Sequence, residues 1–176
     1  MLTFAEHYLK TEEQMRAKTG QWFEIKIRYE KTTDEGMTKP ITEQYVVEAF
    51  TFTEAEAAII EEMSSYISGA FDITGIKNAG YKEIFFSENP NDDKWFKVKL
   101  QFITLDEKTE KEKRSNVYHL VQASSLQSAV KYVTDEMSRT MIDYSFASIT
   151  ETLFMDVYEH HAADGKPTAD EKPEYE

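Results

Sequence analysis

Apolar and polar positions alternate along this chain in two stretches that match each other. Phe23, Ile25, Ile27 and Tyr29 are separated by Glu24, Lys26 and Arg28, and Phe96, Val98, Leu100 and Phe102 by Lys97, Lys99 and Gln101. A period of two places each apolar set on one face of a strand. A charged stretch follows each run, residues 31–40 with Asp34-Glu35-Gly36 and residues 106–114, and is predicted to be a hairpin loop. Residues 45–49 and 117–123 then read as return strands. There the period changes to that of a helix: Ala55, Ile59, Met63 and Ile67 recur at spacing four, as do Ala129, Val133, Met137 and Met141. Thr51-Phe52-Thr53-Glu54 is a capping box at the start of the first helix, Ser125 stands in the place of Thr51 in the second, and Ser68-Gly69 ends the first. Residues 71–86 and 144–159 are β-rich. Each is either one long strand or two, the first with its break near Asn78-Ala79-Gly80.

Residues 22–86 and 95–159 are therefore two copies of one 65-residue unit. Trp22-Phe23-Glu24-Ile25-Lys26-Ile27 returns as Trp95-Phe96-Lys97-Val98-Lys99-Leu100. Corresponding residues differ by 73 in the first and last strands and by 74 through the second strand and helix, so one residue is gained near the second strand and lost after the helix. A lone β-β-α-β unit has too little core to be stable, whereas two that bury their apolar faces together do not have that problem. The expected fold is α+β: a tandem duplication of a β-β-α-β(-β) unit, antiparallel sheets with helices packed on one side, and pseudo-twofold symmetry. The expected segments are an N-terminal helix within 1–20, repeats at 21–86 and 95–159, an exposed linker at 87–94, and an acidic disordered tail at 160–176. The two repeats form one globular domain. In the N-terminal helix, Thr3-Phe4-Ala5-Glu6 is a further capping box, and Phe4, Ala5, Tyr8 and Leu9 share a face.

Composition narrows the function classes. The 176 residues include 11 Phe, 10 Tyr and 2 Trp but no Cys, which excludes disulfides and thiolate metal sites. No apolar run reaches the roughly 20 residues of a membrane span, and the N-terminus lacks the pattern of a secretory signal. A cytoplasmic protein with no membrane association is expected. Thirty-three acids against 20 bases give a net charge of −13, which disfavours phosphate-backbone partners.

Candidate chemistry is sparse. No HExxH helix, Gly-rich phosphate loop or nucleophile elbow is present, so an enzyme is the less supported reading and no metal or cofactor is expected. His119 lies within a strand and is expected to be a hydrogen-bonded structural histidine. His160-His161 reads as a solvated terminus. Glu61-Glu62 and Asp135-Glu136 are adjacent on helices and diverge by about 100°, so they read as solvated faces and not chelating pairs. The sharper candidates are Trp22 and Trp95, which alternation places opposite the apolar core face, together with Lys26 and Lys99. Arg28 and Lys97 add charge on that face. An aromatic beside a cation on an open sheet suits stacking of bases or nucleotides. The competing reading is that each Trp closes the edge of a core or meets another subunit.

Several segments in combination resemble one family: Trp22-Phe23-Glu24-Ile25-Lys26-Ile27-Arg28-Tyr29-Glu30-Lys31, Phe52-Thr53-Glu54-Ala55-Glu56-Ala57, Phe102-Ile103-Thr104-Leu105-Asp106-Glu107-Lys108 and Leu120-Val121-Gln122-Ala123. It is an uncharacterised domain-of-unknown-function family of intestinal anaerobic bacteria and their phages, and the resemblance covers residues 22–158. It implies a small cytoplasmic protein linked to phages or mobile elements, and it brings no site residues.

The expected function is a non-enzymatic binding protein, an inhibitor or sequestering factor that takes a host protein or a nucleotide-type ligand. The alternatives are a single-stranded nucleic-acid-binding module using the Trp/Lys face and an acidic nucleic-acid mimic. A homodimer is also expected, because the extra helix and the strand edges need cover.

Overall fold

A computed structural model of the protein describes residues 20–160. The expected N-terminal helix and acidic tail lie outside the described residues. Eight strands and two helices follow in order: β1 (Gln21–Thr32), β2 (Thr38–Ala49), α1 (Phe52–Ser64), β3 (Phe71–Ala79), β4 (Tyr81–Phe85), β5 (Lys94–Leu105), β6 (Glu112–Ala123), α2 (Leu126–Ser138), β7 (Asp143–Glu151) and β8 (Phe154–Tyr158). The fold is α+β, as the alternating and helical periods indicate. Both hairpins are longer than expected. Residues 38–44 and 112–116 extend the return strands, because polar side chains on a two-stranded arm can remain in water while the backbone pairs. The extra residue of the second repeat sits in its hairpin turn, residues 106–111 against 33–37 in the first.

The β-rich segment ending each repeat is two strands, and the two part company. One sheet has the order β3-β1-β2-β8 and the other β4-β6-β5-β7. Each half therefore gives its last strand to the sheet of the other: β4 lies parallel to β6, and β8 parallel to β2. Swapping the halves maps one sheet order onto the other. Each sheet thus has three antiparallel strands, in line with the expected antiparallel sheets, and one parallel edge strand that alternation did not indicate. The chain changes sheets at Gly80 in the first half and at Thr152–Leu153 in the second.

Each helix covers the outer face of one sheet. Ala55, Ile59 and Met63 of α1 pack on Phe23, Ile25, Ile27, Tyr45 and Val47. Ala129, Val133 and Met137 of α2 pack on Phe96, Val98, Leu100 and Val121. Thr51 caps α1 by accepting from the Glu54 N–H at 3.2 Å, and Ser125 and Ser128 cap α2 reciprocally. The helical stripes end sooner than spacing alone suggests: α2 stops at Ser138, and Met141 is fully exposed.

A third cluster joins the two sheets: Val46, Ala79, Tyr81, Trp95, Leu120, Phe154 and Val157, with Trp22 and Ile84 packed against it. Most of these are counterparts in the duplication: Trp22 with Trp95, Val46 with Leu120, Tyr81 with Phe154, and Ile84 with Val157. The linker between repeats is exposed at residues 88–91 and 93–94 and anchored at Asp92. Asp92 is buried and accepts from the Ser87 and Tyr132 hydroxyls, the latter at 2.8 Å, which ties the linker to α2.

Candidate functional site

The Trp/Lys faces of the two sheets meet each other, so the face is not an open platform. Its centre is a charged cluster. Glu24 of β1 pairs with Lys97 of β5 at 3.0 Å, and the two residues are counterparts separated by 73 positions. Lys77 reaches the other carboxylate oxygen at 3.0 Å, and the Tyr81 hydroxyl donates to Glu24 at 2.6 Å. Burial alone would raise the Glu24 pKa, but donation from Tyr81, Lys97 and Lys77 outweighs it and holds the carboxyl below its usual range. Burial, then the bond to Glu24, pushes the Tyr81 phenol well above its usual range. Lys97 also lies 5.5 Å from the centre of the Tyr81 ring and 6.0 Å from that of Phe154, so one ammonium joins both halves. An identical residue on this near-axial pair would meet its own charge. The Glu/Lys difference removes that repulsion, and a homodimer of identical repeats could not encode it.

Trp95 is 2% exposed and is the largest fully buried side chain, with Phe86 edge-on at 5.5 Å. It cannot stack on a base unless the sheets separate. Lys97 is engaged as described. Lys99 is partly buried and lies 5.9 Å from the centre of the Tyr118 ring. Lys26 and Arg28 are exposed further along β1, toward the hairpin arm. The six residues proposed from the sequence therefore do not form one site.

Trp22 has a different setting. It is partly exposed and lines a cleft of about 850 Å³ between the start of β1 and the β3–β4 crossover. The counterpart of Phe86, which covers Trp95, is Glu159, and Glu159 lines this cleft. Glu48 and Glu83 add two further carboxylates, against one cation, Lys82, among the described lining residues. Gln21 and Asn78, hydrogen-bonded through their side-chain amides, form part of the wall. Glu48 is held in place by the backbone N–H of His160 at 3.1 Å, as Gln122 is held by that of Ser87 at 2.9 Å in the other half. The two ends share a backbone plan and differ in the side chains that close it. Alternation identified the face of Trp22; Glu48, Glu83 and Glu159 were missed because their lining of one cleft depends on the strand exchange.

A sequence profile for a domain of unknown function, DUF4494, matches residues 21–160. The chain belongs to this family. No curated protein matches the sequence. The DUF4494 match covers both repeats and all eight strands, so the cleft lies within the family's domain. Among the described residues, no helix is long and apolar enough to cross a membrane, and no three His, Asp or Glu side chains gather where they could hold a metal ion.

Proposed function

We propose that this DUF4494 protein is a non-enzymatic binding protein whose Trp22 cleft takes a basic segment of a protein partner, inhibiting or sequestering that partner in the cytoplasm. The observation that carries this reading is the composition of the cleft: Glu48, Glu83 and Glu159 line it together with a partly exposed tryptophan. A Trp face attracts Lys or Arg side chains, and carboxylates at the rim pair with them. The net charge of −13 steers a basic partner toward the whole molecule. A nucleotide is less well suited, because its phosphates would face three carboxylates. A single-stranded nucleic acid would have to use Lys26, Arg28, Lys99 and Tyr118 instead of the tryptophans. The resemblance to phage-linked proteins makes a host protein the natural target.

Capture from host lysate tests the proposal with three baits: the native chain, Trp22→Ala, and Glu48→Gln/Glu159→Gln. The proposal requires a protein with an exposed basic segment that the native chain retains and both variants lose. Retention of the same proteins by all three baits would place binding elsewhere on the surface.

A further inference from the structure

A second place where the repeats diverge lies on the helix side of each sheet; on the second-half side it shares Lys82 and Glu83 with the Trp22 cleft. In the first half, Tyr29 and Tyr45 donate their hydroxyls to the two oxygens of Glu43, at 3.0 and 2.7 Å. Tyr45 stacks on Tyr158 with ring centres 6.0 Å apart. Ile67 packs against the same core. Both carboxylate oxygens of Glu43 are engaged there.

The counterparts of Tyr29, Glu43, Tyr45 and Tyr158 are Phe102, Val117, His119 and Phe85. His119 stacks on Phe85 at 5.3 Å, with Phe102 edge-on at 6.4 Å, so the aromatic frame is kept. The carboxylate and the phenol hydroxyls are gone. The counterpart of Ile67 is Met141, which turns fully into solvent. What remains is a cavity of about 210 Å³ lined by His119, Phe85, Phe102, Lys82, Arg139 and Thr140, among others. His119 is 3% exposed, and neither ring nitrogen has a hydrogen-bond partner among the described residues. The expectation of a hydrogen-bonded structural histidine is corrected here: the residues that would bond it are Phe and Val in this half. Burial, then the charge of Lys82, lowers the His119 pKa to about 4, so at neutral pH the ring offers one N–H donor and one acceptor. The rim carries both signs. Glu83 and Glu136 are present, and Arg139 pairs with Glu136 at 3.3 Å, while Lys82 lies 5.1 Å from the centre of the Phe102 ring.

We propose that this cavity binds a small aromatic carboxylate, which supplies from outside the carboxylate that Glu43 supplies within the first half. The ligand ring lies against Phe85 and Phe102. Its carboxylate accepts from the His119 N–H and pairs with Lys82. The volume holds roughly ten non-hydrogen atoms at the packing density of a protein interior, which matches a single substituted ring.

Benzoate is the probe and benzylamine, with the same ring and opposite charge, is the control. Titration of the full chain at neutral pH is followed by the imidazole resonances of His119 and the methyl of Met137. Benzoate is expected to shift both saturably, and benzylamine to act at least about tenfold more weakly. Phe102→Tyr/Val117→Glu rebuilds the first-half arrangement around His119 and should abolish the benzoate response while circular dichroism stays native. His119→Phe keeps the stacking and should abolish the Met137 shift. The proposal is overturned if benzoate moves neither resonance, if benzylamine moves them equally, or if the rebuilt variant responds like the native chain.

Discussion

Trp22 and Trp95 occupy the same position in two copies of one unit, yet one lines a cleft and the other is sealed. The backbone does not account for the difference. Both begin a first strand and face the opposite sheet, and in both halves a backbone N–H anchors the facing residue of the second strand. What differs is the cover. Trp95 has Phe86 against it and the linker, with buried Asp92, anchored nearby. Trp22 has Glu159 where Phe86 would be. Tyr132, which fastens the linker through Asp92, has Ala58 as its counterpart. A duplication lets one copy keep the stabilising role of a tryptophan while the other becomes available for contact.

The largest expected effect is on stability at the sealed end. Trp95→Ala should cost about 3–5 kcal/mol, the range for removing a large buried aromatic, and Trp22→Ala less than about half of that. Chemical denaturation of both variants checks this, and equal losses would break the distinction. Glu24→Ala should cost about 2–3 kcal/mol, because it leaves Tyr81, Lys97 and Lys77 without their shared acceptor. The Glu24 pKa is lowered in the folded state, so its contribution is present above the usual carboxylate value of 4.5 and is lost as the pH falls through the depressed value. In Glu24→Ala that part of the acid transition should disappear.

The helix-side pair sharpens the comparison further. His119 has a folded pKa of about 4 against an ordinary 6.5, so between these values the unfolded chain binds more protons and stability falls as the pH is lowered. The slope approaches about 1.4 kcal/mol per pH unit at most, and no more than about 3 kcal/mol accumulates across the window. His119→Phe should flatten that slope, whereas Tyr45→Phe at the matching position should leave it unchanged. Denaturation midpoints measured between pH 4 and 7 decide the point. The smallest effect belongs to Lys94–Glu151, the counterpart of the Gln21–Asn78 amide pair. This ion pair spans 3.2 Å between exposed side chains, and Lys94→Ala should change stability by no more than about 0.5 kcal/mol.

Much of this architecture could be read from residue order. Period two marked Phe23 to Tyr29 and Phe96 to Phe102 as core-facing, period four marked the helices, and the shared Trp-Phe motif marked the duplication. The destination of the last strands could not be read. Alternation says which side of a strand is apolar, but not which sheet edge it joins, and a five-residue strand such as β4 carries no register information beyond its own ends. The site was partly legible for the same reason. The sequence placed Trp22 off the helix-covered face correctly. Whether that face was open depended on the second sheet, and the shared lining of one cleft by Glu48, Glu83 and Glu159 depended on strand exchange. The empty frame around His119 emerges only when its neighbours are compared with Tyr29, Glu43 and Tyr158.

The most direct test of the open Trp22 end uses Trp95→Phe, in which Trp22 is the sole tryptophan and is excited selectively at long wavelength. A hexa-arginine peptide titrated into this variant at low salt should change Trp22 emission saturably. The change should weaken with salt, and Glu48→Gln/Glu159→Gln introduced into the same background should abolish it. Emission that ignores the peptide, or that responds equally without the two carboxylates, would contradict the account of Trp22 as the contact residue of an acidic cleft.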